Sequence, residues 1–338
     1  MSNACGSNCR CRKVGVAAGA KSMSLRICFI NNVCAVGGTL GCTASMCKAL
    51  PDCERMVFAF TAEWRPEPKS MMPPDVLLEC GLDKNALGLK LREWKPDVVV
   101  FQNTNSNMIP NDFGSGMPIF YQHSAFNAEP SRKRCAKSFV VSKWLAKKAG
   151  VSEELILYQP VDKPHEVGKH TDRSHVRLAG RIATPGSAKW KHEDYWEHLV
   201  AARAAEPRLH VEFVGSTHDR PESWMLPGHI GYEHRYRVST WDYMINTCSV
   251  EESYGRTVCE AQRVGCVPIV SRRGGQVEQI EHGFDGFLVE TPTDVQEALN
   301  QLKDDKELER ISTNARRSGD ERGGLLKWRT EFLKRIAE

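Results

Sequence analysis

Two glutamates, Glu252 and Glu260, stand with seven residues between them in a stretch, Val250 to Gly286, that reads as loop, helix, buried strand and turn. A carboxylate only accepts hydrogen bonds, so each suits the paired hydroxyls of a sugar or a ribose. A turn signal at Ser253-Tyr254-Gly255 follows the first. A glycine ahead of a helix leaves unpaired N–H groups and the positive end of the helix dipole facing outward, which is a seat for diphosphate. With a helix starting near Arg256, Glu260 lies one turn in. A sugar nucleotide offers both a diphosphate and diols.

The ordered set Glu252, Tyr254, Gly255, Glu260, Ala261, Gly265, Pro268, Ile269, Val270, Gly274, Gly275, Glu278, Ile280, Gly283 and Gly286 resembles the E-x7-E signature of retaining glycosyltransferases of family 4, the group 1 glycosyl transferases. The resemblance spans about Leu25 to Glu338. It implies an α/β chain of GT-B fold, two Rossmann-like domains facing across a cleft, with the acceptor bound by the first and the nucleotide sugar by the second. On the family's pattern Glu252 holds the donor sugar and Glu260 the ribose. Gly180-Arg181-Ile182 resembles the family's G-R-L, whose Arg, with a later Lys, clamps the diphosphate; Lys189 and Lys191 are both candidates for that Lys. Gly37, Gly38, Tyr254, Gly255, Arg256 and Thr257 complete the expected nucleotide-sugar site.

The elements that must hold these residues alternate strand and helix. Leu25 to Asn31 reads as a first strand, and Thr39 to Leu50 as a helix after the Gly37-Gly38 loop. Arg55 to Thr61 is a strand, Glu63 to Pro74 a Pro-rich loop, Val76 to Trp94 a helix, and Val98 to Gln102 a strand buried on both faces. Pro118 to Gln122 ends at His123. A side chain there, at the carboxyl end of a parallel strand, faces the crevice where such proteins bind ligands, and in the family a His at this point contacts the transferred sugar. Cys135 to Val141 is a strand and Ser142 caps a helix. Gln159-Pro160-Val161-Asp162 keeps the Val-Asp of the family linker N-G-V-D but not its Asn-Gly. The second half restarts with a strand, Val176 to Gly180, followed by Arg181. Thr293 is read as the cap of a helix to Leu302, and Glu307 to Arg317 and Leu325 to Ala337 as the last helices. The expected divisions are a flexible arm at 1–23, an acceptor-side domain at 24–165, a nucleotide-sugar domain at 166–318, and a helix at 319–338 crossing back to the first domain.

Of 338 residues, 41% are hydrophobic and 26% charged, as in soluble globular chains. No apolar run approaches the ~20 residues of a membrane span, and Met1 to Met23 lacks the apolar core of a secretory signal. The expected location is the cytoplasm, a host's cytoplasm for a phage protein, with peripheral membrane attachment open. Thirteen scattered cysteines fit reduced thiols there. Cys5, Cys9 and Cys11 lack a fourth ligand for a metal. No Asp-x-Asp occurs, so no metal and no cofactor is expected beyond a UDP- or GDP-sugar as substrate. Residues 1–165 carry 21 Lys and Arg against 14 Asp and Glu, and the remainder 25 against 28. A basic first half suits an anionic acceptor: DNA, phospholipid or a phosphorylated saccharide. Two alternatives stay beside saccharide or lipid transfer: a phage-type transferase acting on hydroxymethylated DNA bases through Arg132 to Arg134, Lys137, Lys143, Lys147 and Lys148, and a binding module without catalysis.

Overall fold

The structure, a computed structural model, describes residues 24–32, 34–169, 176–191, 193, 195–216 and 222–338. The arm at 1–23, with Cys5, Cys9 and Cys11, lies outside the described residues.

The first sheet is built from β1 (Arg26–Asn31), β2 (Glu54–Ala59), β3 (Leu77–Cys80), β4 (Val98–Gln102), β5 (Met117–Gln122) and β6 (Lys137–Val140). Its order is β3-β2-β1-β4-β5-β6 and every pairing is parallel. Between these strands run α1 (Gly38–Ala49), α2 (Pro66–Ser70), α3 (Lys84–Trp94) and α4 (Glu129–Arg132), and α5 (Lys143–Ala149) follows them. The second sheet comprises β7 (Arg177–Ile182), β8 (Leu209–Val214), β9 (Tyr243–Asn246), β10 (Val267–Ser271) and β11 (Phe287–Val289) in the order β11-β10-β9-β7-β8, again all parallel. With it come α6 (Trp196–Ala205), α7 (Arg256–Arg263), α8 (Pro292–Leu302), α9 (Asp305–Gly323) and α10 (Leu325–Ala337).

Both sheets are covered on two faces, which is why β4 and β10 are continuous buried runs. The last helix leaves the second sheet and packs on the first: the rings of Trp328 and Phe332 stack at 4.7 Å inside the first sheet's core. Burying each such ring contributes roughly 2 kcal/mol. Lys137 Nζ donates to the Arg335 carbonyl at 2.6 Å and Arg335 to the Glu154 carbonyl at 2.8 Å, fixing the register of that helix.

Three expectations change. The stretch Val76 to Trp94 is not one helix: its first part pairs with β2 as the edge strand β3, and the chain turns at Gly81 before Asp83 caps α3 by accepting from Asn85 and Ala86 N–H groups at 2.9 Å each. The loop from Glu63 to Pro74 contains the short α2. Helix α8 is capped by Thr291 rather than Thr293, because Pro292 takes the first helical position and Asp294 closes a capping box with Thr291.

The halves also meet through α5. Its first two N–H groups, of Lys143 and Trp144, donate to the Glu278 carboxylate at 2.9 and 2.6 Å, and the third, of Leu145, to Ser142 Oγ. Tyr158 OH also donates to Glu278, at 3.2 Å. Ser142 Oγ in turn donates to the Ser253 carbonyl at 2.5 Å.

All ten cysteines among the described residues are free, and burial pushes the Cys42, Cys47 and Cys259 thiols up to about 12. No helix among the described residues is long and apolar enough to cross a membrane.

Candidate active site

A cavity of about 740 Å³ lies between the two sheets, lined by segments that follow the carboxyl ends of β1, β5, β7, β8 and β9. This is the ligand edge of parallel α/β sheets. Gly37 and Gly38 line it from the first half, together with His123. From the second half come Lys189 and the stretch Glu251 to Thr257, with Glu260 one turn into α7.

The Glu252 loop is shaped by its neighbours. Gly255 sits at φ +84° ahead of α7, and no side chain caps that helix, so its first-turn N–H groups are not closed by a cap at the cleft. Gly275 N–H donates to the Glu252 carbonyl at 2.6 Å. A Cβ on Gly274 would lie 2.3 Å from that same carbonyl oxygen, so the Gly-Gly turn works by letting two backbones touch. Glu252 makes an ion pair with Lys189, the two side chains being 18% and 22% exposed, so the pair is reachable from the cleft.

Glu260 is buried beside two guanidinium groups, Arg235 at 3.2 Å and Arg256 at 3.8 Å. Arg256 reaches the first half, donating to the Pro160 carbonyl at 2.7 Å and to Ser45 Oγ of α1 at 3.2 Å. Tyr254 is buried, its ring 6.0 Å from that of Tyr158. Thr257 lies in the cleft wall.

Arg181 is not brought to the cleft. Strand β7 runs on to Ile182, so Arg181 falls inside it and points into the second half. Fully buried, its guanidinium donates to the Thr247 carbonyl at 2.7 Å and to the Lys189 carbonyl at 2.5 Å, and lies over the rings of Tyr195 (4.2 Å) and Trp190 (5.4 Å). It therefore steadies the loop that carries Lys189. Lys191 is exposed and outside the cleft lining. Arg235 and Gln159 are among the cleft residues that the expected site left out. Arg235 stands on an irregular 3-10 segment with no local signal, and Gln159 on the interdomain linker, where the departure from N-G-V-D was the one available sign.

His123 follows β5 and is buried. Its main-chain N–H donates to Asn103 Oδ1 at 2.7 Å, and its Nδ1 lies 2.9 Å from Gln159 Nε2. Burial, and then the nearby Arg256 charge, pull the ring from its ordinary 6.5 down to about 3. In the unfolded chain the ring takes up a proton near pH 6.5, whereas the native ring stays neutral until about pH 3. Stability on this account is complete above pH 6.5 and falls by about 1.4 kcal/mol per pH unit below it. On going from pH 6.5 to 5, the stability read by urea unfolding should therefore fall by about 2 kcal/mol more in the wild type than in His123→Gln. Equal losses in the two proteins would contradict the buried neutral ring.

Residues 238–318 match the family model for glycosyl transferases group 1. No curated protein matches the chain by sequence. Among solved structures, HepE of Anabaena, in complex with UDP, aligns with a TM-score of 0.71 at 16% identity over 93% of this chain and 100% of that one. The fold is GT-B. A glycosyltransferase of Rickettsia africae has a TM-score of 0.68 at 15% identity, covering 92% and 97% of the two chains. Sucrose-phosphate synthase of Thermosynechococcus elongatus reaches 0.64 at 12%, covering 93% and 98%. HepE has also been solved with UDP-glucose. At these identities the likeness is one of fold. In GT-B terms the group 1 match covers the Glu252-to-Glu260 loop, α7 and the Gly274-Gly275 turn.

Proposed function

We propose that the chain is a retaining glycosyltransferase of family 4 that moves a sugar from a UDP- or GDP-sugar to an acceptor hydroxyl. The observation that carries this reading is the convergence, on one GT-B cleft, of the Glu252–Lys189 pair, the uncapped α7 terminus, Glu260 and His123.

The diphosphate sits at the α7 N-terminus, where the Gly255 turn leaves N–H groups and dipole to meet it. Lys189, already beside Glu252, moves its charge to the phosphate oxygens. This frees the Glu252 carboxylate to accept from the sugar hydroxyls. Glu260 accepts from the ribose diol, with Arg235 and Arg256 holding its carboxylate in place. The anomeric carbon–oxygen bond to the diphosphate breaks through an oxocarbenium-like state. The acceptor oxygen bonds to that carbon on the same face, and its proton passes to the leaving phosphate oxygen. Lys189 and the helix dipole stabilise the charge that develops there.

The basic residues offered for DNA are largely engaged within the chain. Arg132 donates to Gln122, Arg134 to the Ser106 and Pro110 carbonyls, and Lys133 and Lys148 pair with Glu129 and Glu251. A saccharide or lipid hydroxyl is accordingly the first acceptor class to try. The test is a thermal-shift and turnover panel of UDP-, GDP- and ADP-sugars on wild type and Glu260→Ala, with saccharides, phospholipid vesicles and hydroxymethylated duplex DNA as acceptors. One donor at a hundred times its Kd should stabilise the wild type by about 2.7 kcal/mol and the variant far less. No stabilisation by any donor would sink the enzyme reading.

A further inference from the structure

His123 carries two ring nitrogens with different fates. Nδ1 lies against the Gln159 amide at 2.9 Å, while Nε2 is buried and has no hydrogen-bond partner among the described residues. Which nitrogen bears the proton depends on which end of the Gln159 amide it meets. Arg256 decides that. Its Nη1 stands 3.5 Å from Gln159 Oε1, and the same nitrogen is anchored at 2.7 Å on the carbonyl of the next residue, Pro160. A guanidinium only donates, so the amide oxygen must face it; the reverse orientation would set N–H groups against N–H groups. The Gln159 NH2 then faces His123, Nδ1 must accept, and the proton of a neutral ring resides on Nε2.

We propose that Arg256 and Gln159 are positioning residues that hold His123 as the Nε2-protonated neutral tautomer, so that it presents a single N–H donor to an oxygen of the bound substrate. The order is Arg256 N–H to Gln159 C=O, Gln159 N–H to His123 Nδ1, and His123 Nε2–H to the ligand. The relay crosses the cleft: Arg256 belongs to the first turn of α7, Gln159 to the linker and His123 to the end of β5. The other neighbours leave the choice alone. The Tyr121 ring packs on the imidazole at 4.5 Å, and Asn103 is taken by the His123 main chain. The low affinity of the buried ring for a second proton accords with this state. His123 thus donates a hydrogen bond to substrate but does not accept the acceptor's proton, which leaves that task to the departing phosphate. Only the identity of the substrate oxygen rests on the glycosyltransferase reading.

The test is a long-range proton–nitrogen NMR spectrum of the full chain labelled with 15N-histidine, with His123 assigned by its absence in His123→Asn. At pH 7 the expected pattern is an unprotonated Nδ1 and a protonated Nε2, unchanged at pH 5. In Gln159→Glu the carboxylate can only accept, so Nδ1 should become protonated, and sugar transfer should fall about tenfold with donor KM changed less. A protonated Nδ1 in the wild type, or an unchanged ring in folded Gln159→Glu, overturns the relay. Should Gln159→Glu not fold, the wild-type spectrum still decides. The expected tautomer with no sugar nucleotide turned over would keep the relay and remove the glycosyl-transfer reading; transfer with the opposite tautomer would do the reverse.

Discussion

Replacing Arg181 with lysine is expected to destabilise the protein by about 3 kcal/mol or more, and to lower turnover as a consequence. The fork of Arg181 holds two main-chain carbonyls, of Thr247 and Lys189, and its flat face lies over Tyr195 and Trp190. Lysine brings a point charge that can neither bridge both carbonyls nor stack flat on a ring. Hydrogen bonds from a charged donor contribute about 1.5–3 kcal/mol each, and an unsatisfied cation in a closed site costs more. The Lys189 loop then loses its anchor, so the ion pair with Glu252 loosens. Urea midpoints and steady-state kinetics on the same samples check this. An unchanged midpoint with loss of donor affinity alone is the signature of a phosphate clamp, and would overturn the structural role.

Gly274→Ala should abolish nearly all activity with a smaller effect on folding. The added methyl would stand 2.3 and 2.6 Å from the carbonyl oxygen and nitrogen of Glu252, at a backbone φ of +64°. Neither contact is with a flexible side chain, so the Glu252 loop itself must shift. Misplacing a reacting group by about 1 Å can cost about a hundredfold in rate. Gly150→Ala is the matched control. Its φ is also +64°, but a methyl there meets nothing within 4 Å, and it ends α5 away from the cleft. It should lose about 1 kcal/mol of stability through backbone strain and keep its turnover. Similar kinetics for the two variants would mean that strain alone, rather than contact with Glu252, sets the effect.

Most of the framework was legible because parallel strands buried on two faces leave unbroken apolar runs, as in Val98 to Gln102. The glycines and glutamates after β9 were legible because a tight loop before a helix restricts residue types strongly. Arg181 was placed at the cleft because the strand was ended two residues early. Ending the strand at Gly180 puts the next side chain at the cleft, whereas running to Ile182 turns it inward, since successive side chains alternate faces. The edge strand β3 was hidden because four residues, with Leu77 exposed, carry little periodicity against the helical pattern that follows. Gln159 and Arg235 escaped for another reason. Their positions depend on how the linker and a 3-10 segment meet elements distant in sequence; the lost Asn-Gly of the linker was the one local sign at Gln159, and Arg235 had none.

The first turn of α5 is completed by a residue more than 130 positions away, the carboxylate of Glu278. Any rotation that parts the two halves takes Glu278 away from that helix and leaves it the Ser142 cap alone. Cleft opening and fraying of the first turn of α5 are therefore coupled, and the Lys143 and Trp144 amides become a built-in gauge of how often the halves separate. The seven-residue helix, too short to persist alone in water, ties the breathing of the whole molecule to a single turn of backbone.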